Sequence, residues 1–336
     1  MRKLMFSFCL LTIAFFSLSL SALAQAPLLL RNPSLNQTHI AFLYGGDIWT
    51  VSRDGGEATR LTVAAQATAG PVFSPDGSWI AYTANYAGNR DVYLIPASGG
   101  QPRRLTYHPG DDVVVGWTPN SQRVLFLSPR VGYSRGNHNL FSVSTSGGFP
   151  SEYPLPIAEK GSLSPDASHL AYVPHTQWQH AWKRYRGGQT TPIWIADLKD
   201  SRVESIPRQN SNDFNPMWVG DKIYFLSDRD GPKSLYVYDT ATKTVTPLFK
   251  NTGFDFKSAS AGPGGIVIEQ FGALRFFDYA TQQLKTIPVH LAGDLPEVRP
   301  QFVNVDPKQI TTFHLSPAGV RAVLESWGEI FTVPTD

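Results

Sequence analysis

The sequence predicts an all-β chain: a six-bladed propeller of four-stranded antiparallel blades, followed by the start of a second propeller. Three observations predict it. The stretch from Phe73 to Thr106, FSPDGSWIAYTANYAGNRDVYLIPASGGQPRRLT, recurs in outline along the chain, at intervals of roughly 40 to 55 residues, the spacing of blade repeats. Each copy holds a tight polar turn, an apolar run, a polar loop, a second apolar run, a Gly pair and a short strand ending in Leu-Thr, which makes four short strands per unit. No amphipathic helical pattern follows residue 24, and 28 glycines with 26 prolines in 336 residues suit a chain rich in turns.

The N-terminus reads as a signal peptide over residues 1–24. Arg2 and Lys3 precede an apolar run from Leu4 to Leu20, and small residues at Ala22 and Ala24 mark cleavage after Ala24. A membrane anchor is the competing reading, but the run is short for a span of about 20 residues. The propeller occupies 25–290. Its first unit takes Leu28 to Arg31 as first strand, then His39 to Leu43, Asp47 to Ser52, the turn Asp54-Gly55-Gly56, and Ala58 to Thr62. The second unit is the stretch quoted above. The third runs from Trp117 through Asn139–Ser144 to Gly147-Gly148, and the fourth opens at Leu163, carries a long insertion and resumes at Pro192. The fifth covers Trp218 to Phe249 and the sixth Ser260 to Val289. All six fall in phase, so each blade should use its own strands, with none shared between the chain's two ends. A Pro-rich connector fills 291–313. The grammar then restarts over 314–336 (HLSPAGVRAVLESWGEIFTVP from His314), a truncated start of a second propeller. A blade stopping after three strands leaves an open edge, so we expect the chain to be the N-terminal part of a longer protein.

The turns supply a local reason for the pairing. Asp54-Gly55, Asp76-Gly77 and Asp230-Gly231 put glycine where a hairpin needs positive φ. Near-continuous apolar runs, such as Ile80-Ala81-Tyr82 and Val124-Leu125-Phe126, fit strands covered on both faces by neighbouring blades.

Charge and cysteine usage exclude several functions. Without Arg2 and Lys3 the basic count drops from 29 to 27, level with 27 acidic residues. A neutral chain argues against nucleic acid as the main partner. The single cysteine, Cys9, lies in the signal run, so the mature chain offers no disulfide, thiol nucleophile or Cys-ligated zinc, and no cofactor is expected. Export to the periplasm follows from the signal peptide.

Four segments carry a family resemblance: NPSLNQTHIAFLYGGDIWTVSRDGGEATRLT from Asn32, HAWKRYRGGQTTPIWIADL from His180, NPMWVGDKIYFLSDRDG from Asn215, and HLAGDLPEVRPQFVNV from His290. Together they resemble the N-terminal six-bladed propeller of tricorn proteases. The first and third also resemble the repeat of TolB-like propellers, whereas WKRYRGG and GDLPEVRP are the more specific. The resemblance implies a large serine peptidase built from two propellers, a PDZ-like domain and an α/β catalytic part, often a ring-shaped oligomer. Its catalytic residues lie outside the part matched here, so none is carried over. It implies a non-catalytic role, gating or docking peptides or unfolded polypeptides for downstream peptidase domains. The alternative is a stand-alone TolB-like periplasmic propeller that binds other proteins.

Among local constellations, Gly132-Tyr133-Ser134-Arg135-Gly136 fits G-x-S-x-G, but no strand–turn–helix context surrounds it, so it reads as a loop. His175 and His180, five apart in a loop, share no face for a metal. Asp111-Asp112 and Asp228 with Asp230 read as turn carboxylates rather than a calcium loop. The peptide-binding candidates are Trp182, Lys183, Arg184, Tyr185 and Arg186, three cations interleaved with two aromatics. Guanidinium forks could grip a peptide carboxylate there. The same cations could instead pair with carboxylates of adjacent blades and pin the insertion to the scaffold.

Overall fold

Short apolar runs separated by Gly-containing turns form antiparallel meanders, and six of these meanders hold four consecutive strands each. The computed structural model describes residues 28–131, 138–175, 183–292, 302, 304–326 and 328–335. The chain forms two compact units, 1–292 and 293–336. In the first, blade 1 is β1 (Arg31–Leu35), β2 (His39–Tyr44), β3 (Asp47–Ser52) and β4 (Gly56–Arg60). Blade 2 is β5 (Ala69–Phe73), β6 (Trp79–Ala84), β7 (Asp91–Pro96) and β8 (Arg103–Arg104). Blade 3 is β9 (Val113–Trp117), β10 (Arg123–Ser128), β11 (Asn139–Ser144) and β12 (Ser151–Glu152). Blade 4 is β13 (Lys160–Leu163), β14 (His169–Val173), β15 (Trp194–Asp197) and β16 (Val203–Ser205). Blade 5 is β17 (Asp213–Val219), β18 (Lys222–Ser227), β19 (Ser234–Asp239) and β20 (Thr244–Phe249). Blade 6 is β21 (Phe256–Gly262), β22 (Gly265–Gln270), β23 (Ala273–Asp278) and β24 (Leu284–Ile287).

The core lies between blades. Ile48 and Leu43 of blade 1 meet Phe73, Ile80 and Tyr82 of blade 2, and comparable apolar layers separate blades 2 and 3, 3 and 4, 4 and 5, and 5 and 6. This is why the second and third strands are apolar on both faces: each face meets a neighbouring sheet.

Buried ion pairs lock the blade corners and explain the recurring Leu-Thr. Asp47 at the start of β3 meets Arg60 at 2.5 Å and accepts the Thr62 hydroxyl at 2.7 Å. The same Thr62 oxygen accepts the Ile48 amide at 2.9 Å. Blade 2 repeats the device with Asp91, Arg104 and Thr106. Blades 3 and 5 use a second version: Asp112 with Arg130 and Asp213 with Arg229. Each of these guanidiniums also lies about 5 Å over two aromatic rings, Phe126 and Phe141 or Phe225 and Tyr236, so charge is balanced and the cation is shielded from water.

The structure corrects two expectations. The first strand of blade 1 is Arg31–Leu35, not Leu28 to Arg31; the preceding segment runs along blade 6, where the Leu30 amide donates to the Gly272 carbonyl at 3.0 Å. Pro33 reads as a strand breaker, but it sits at a bulge between Arg31 and Ser34 that needs no amide donor. The blades are built in phase, yet a strand from the end of the ring does join blade 1. β25 (Val289–Leu291) pairs in parallel with β4 on its outer edge. Gly55 makes room for it: a Cβ there would lie 2.3 Å from the Pro288 carbonyl oxygen, which itself accepts the Gly56 amide at 2.9 Å. Arg53 adds a clasp, donating to Pro263 at 2.8 Å and lying over Phe276.

The second unit holds a 3-10 turn (Pro307–Gln309) and an antiparallel meander of β26 (Ile310–Leu315), β27 (Arg321–Ser326) and β28 (Glu329–Pro334).

Candidate functional site

The first strands of the six blades surround a central cavity of about 1070 Å³. Bulges shape its wall. In β1, β5 and β17 the residue before a proline takes positive φ (Asn32 48°, Gly70 76°, Asn215 56°) and an extra residue swells the strand. β9 and β21 carry bulges without proline. Serines one residue before a leucine knit the ring: Ser34 accepts the Phe73 amide at 3.2 Å and Ser162 the Trp218 amide at 2.9 Å.

Pairing with β2, β6, β10, β14, β18 and β22 sets Arg31, Ala69, Val113, Lys160, Phe214 and Ser258 at one level and Asn32, Gly70, Val114, Gly161, Asn215 and Ala259 at the next. Across these two levels Asn32, Lys160, Asn215 and Ser258 bring polar groups from blades 1, 4, 5 and 6. Lys160 Nζ donates to Asn215 Oδ1 at 2.7 Å. Glu269 Oε2 accepts the Asn32 amide at 2.9 Å and the Ser258 hydroxyl at 2.7 Å. On the opposite arc the wall is Pro71, Val113 and Val115. The Lys160 side chain is exposed; desolvation lowers its pKa, and the Glu269 charge opposes that shift. Next along β13's lead-in, burial raises the Glu159 pKa, opposed by the His138 ring 3.2 Å away and by the charge of His175.

The blade 4 insertion holds the candidates read from sequence. Lys183 and Arg184 lie 3.3 and 3.7 Å from Asp255, and Arg186 lies 3.0 Å from Asp228. The Tyr185 carbonyl accepts from Asn212 at 2.9 Å. The insertion is thus tied to blade 5 and to the loop between blades 5 and 6. Burial works against the Asp255 charge, but the Lys233 amide, Lys183 and Arg184 outweigh it and hold the carboxyl below its usual range. All three insertion cations keep more than a third of their side chains in solvent. Beside them Phe254 and Phe271 stack face to face with centroids 4.1 Å apart, and both are exposed. Trp182, His180 and the Ser134 loop lie outside the described residues.

The remaining carboxylates are engaged in the scaffold. Asp111 meets Arg90 at 2.5 Å, Asp112 meets Arg130, and Asp230 accepts the Tyr236 hydroxyl at 2.6 Å. Sequence reading missed the cavity level entirely. A signal was present in the Asn-Pro pairs at 32–33 and 215–216, each of which falls at a first-strand bulge.

A family described as the tricorn protease N-terminal beta propeller domain matches residues 27–283. Tricorn protease homolog 1 of Streptomyces coelicolor is 34% identical over 217 residues, 63% of this chain and 20% of that protein. The chain therefore spans about a fifth of that relative's length. Among solved structures, the tricorn protease aligns with a TM-score of 0.73 at 22% identity, over 91% of this chain and 30% of the other. TolB from Acinetobacter baumannii aligns with a TM-score of 0.50 at 20% identity, over 64% and 53%. At those identities the two structures speak to the fold. The family match spans most of the chain, from the segment before β1 to the turn that precedes β24 in blade 6, and on that ground the chain belongs to the tricorn protease N-terminal β-propeller family.

Proposed function

We propose that this chain is a non-catalytic propeller that receives and guides peptides for a tricorn-like serine peptidase, the cleavage being performed by other domains of the parent protein. The observation that carries this reading is a family match joined to an open cavity of about 1070 Å³ ringed by all six first strands. That volume suits a peptide of a few residues. The exposed stack of Phe254 and Phe271 next to Lys183, Arg184 and Arg186 supports a docking role for the same loop face, since aromatic and guanidinium groups dominate recognition surfaces.

Three further parts belong to the proposal. The chain is exported to the periplasm by residues 1–24. The meander β26–β28 opens a second propeller, a reading supported by its exposed Phe313, Leu315 and Ile330, which need neighbouring sheets. The parent assembles as an oligomer, as the family resemblance implies.

Fluorescence anisotropy with labelled short peptides, run beside a hydrolysis assay, tests the central claim. The purified chain should bind peptides and leave them intact; hydrolysis by the chain alone would overturn it. In the double variant Arg184→Ala, Arg186→Ala, weaker capture at an unchanged melting temperature assigns the insertion to peptide binding. A lower melting temperature with capture intact assigns it to the scaffold.

A further inference from the structure

We propose that the stacked pair Phe254 and Phe271 is a docking platform for an acidic segment of a partner protein that carries an aromatic side chain. This rests on the docking role given above to the insertion face and names what docks there.

Phe271 is costly where it stands. It takes a φ of 49° in the two-residue turn Phe271-Gly272 between β22 and β23, beside Gly272 at 71°. Two positive φ values in such a hairpin loop are the pattern that Asn-Gly fills, because asparagine tolerates the left-handed region and phenylalanine is strained in it. The ring is 55% exposed, so burial within this chain does little to offset that strain. The tip is also pinned: the Gly272 carbonyl accepts the Leu30 amide at 3.0 Å, and the exposed Leu29 lies close against Gly272.

Phe254 meets this ring from a loop that is itself held. Its carbonyl accepts from Gln270 Nε2 at 2.7 Å and from the Asn251 side chain, and Arg275 donates to Gln270 Oε1 at 2.8 Å. The two rings lie 7° from parallel with centroids 4.1 Å apart, and Phe254 is 60% exposed. A fixed, open pair of parallel rings takes on a further ring at little cost in ordering.

The charge around the stack selects the partner. Asp255, next to Phe254 in the chain, is shared by Lys183 and Arg184, and Asp228 is taken by Arg186. Lys233, its ammonium 3.9 Å over the Phe214 ring, and Lys257 add positive charge nearby. Burial lowers the Lys233 pKa, and the Lys257 and Lys183 charges push it the same way against Asp255 and Asp228. An apolar centre with a cationic rim attracts carboxylates set beside an aromatic anchor and repels Lys or Arg in the same place. Nucleic acid also joins rings to anions, but with 29 basic and 27 acidic residues the chain lacks the charge surplus that phosphate binding draws on.

The test uses short peptides acetylated and amidated at their ends, so that neither terminus carries charge: a central Phe flanked by Glu and Asp, the same Phe flanked by Lys, and Ala in place of Phe between the acidic flanks. Calorimetry and thermal melts are run on the natural chain, Phe271→Asn and Phe254→Ser. We expect the acidic Phe peptide to bind about ten- to thirtyfold more tightly than either control, the size of one hot-spot side chain. Phe271→Asn should lose that preference yet melt at the temperature of the natural chain or higher, since asparagine relieves the turn. Equal binding of the three peptides, or a preference that survives Phe271→Asn, overturns the inference, and a lower melting temperature with the preference intact assigns the stack to the scaffold. Should Phe271→Asn melt lower and lose the preference together, the preference of Phe254→Ser decides. Self-association of the natural chain that Phe271→Asn abolishes makes a second copy the occupant, and tighter binding of oligothymidylate than of the acidic peptide makes it nucleic acid; either result overturns the inference. If the natural chain ignores every blocked peptide but binds short unblocked ones, this inference falls and the peptide-guiding reading stands. If it binds neither kind, both fall.

Discussion

Blade 2 and the meander β26–β28 are written in the same grammar but buried differently. Their first turns share one backbone pattern. Gly77 donates to the Ser74 carbonyl and Gly319 to the Ser316 carbonyl, both at 2.8 Å; the two glycines have φ of 75° and 70°; and the serine hydroxyls accept the amides of Trp79 and Arg321. Beyond the turn they part. Phe73 is 6% exposed, and Leu315, its counterpart by register, is 67% exposed. Local sequence sets the hairpin, whereas burial comes from sheets on either side, which blade 2 has in blades 1 and 3. The propeller is stable because its hairpins are stacked in a ring, not because each one is a good hairpin.

The comparison breaks most severely where a blade's interior contacts are cut. Asp213→Ala leaves Arg229 buried against Phe225 and Tyr236 with no counter-ion, and should cost about 3–5 kcal/mol. Phe73→Ala, which empties the layer between blades 1 and 2, should cost a similar 3–5 kcal/mol or so. Denaturant unfolding of the main transition reads both. Next in size are the two turn glycines. Gly77→Val meets both a positive φ and Asn36 Cβ at 3.2 Å, and should lower stability by about 1–2 kcal/mol. Gly319→Val carries the same φ strain in open space and in the other compact unit, so the main melting transition should not move. A main transition that falls equally for both would show that the meander shares the ring's cooperativity.

The same contrast explains what was legible in the sequence. Second and third strands such as β6, β7 and β10 stood out because burial on both faces makes them nearly continuous apolar runs. The turn glycines were equally plain, since Gly55, Gly77 and Gly231 all take positive φ. The first strands were obscured. They line the cavity, so their polar and small residues (Asn32, Gly70, Lys160, Asn215) serve its wall rather than a core, and their bulges spoil the alternation that marks a strand. The parallel addition of β25 had no local cue, because it depends on Pro288 meeting Gly55 and Gly56 from more than two hundred residues away. In the insertion, Lys183, Arg184 and Arg186 were read as a group, but their partners Asp255 and Asp228 come from later loops and only the fold joins them.

A smaller effect sharpens the comparison of turns. Asp76 accepts from the Ser74 and Ser78 hydroxyls and the Ser78 amide, and Ala318 occupies its place in the meander. The Ser74 hydroxyl chiefly holds the Asp76 carboxyl below its ordinary value of 3.8. With the folded pKa below the unfolded one, the stabilisation is full above pH 3.8 and fades as pH falls through the lowered value. Asp76→Ala should therefore cost less than about 1 kcal/mol at pH 6, solvent screening being strong at an exposed turn. The deficit should vanish in strong acid, which paired melts at the two pH values will reveal.

The smallest effect is the most discriminating. Leu315→Ser removes a large apolar side chain at the register position of Phe73, yet Leu315 is 67% exposed, so the change should stay within about 0.5 kcal/mol. In the isolated chain a thermal melt should barely register it. If the meander is the opening of a second propeller, the same substitution placed in the full-length parent should instead be felt as a core deletion, because neighbouring blades would then cover β26 as blades 1 and 3 cover β5. A neutral result in both settings would leave β26–β28 as a surface hairpin array and remove the second propeller from the proposal, while the six-bladed ring, whose layers from blade 1 to blade 6 use no residue of β26–β28, would be untouched.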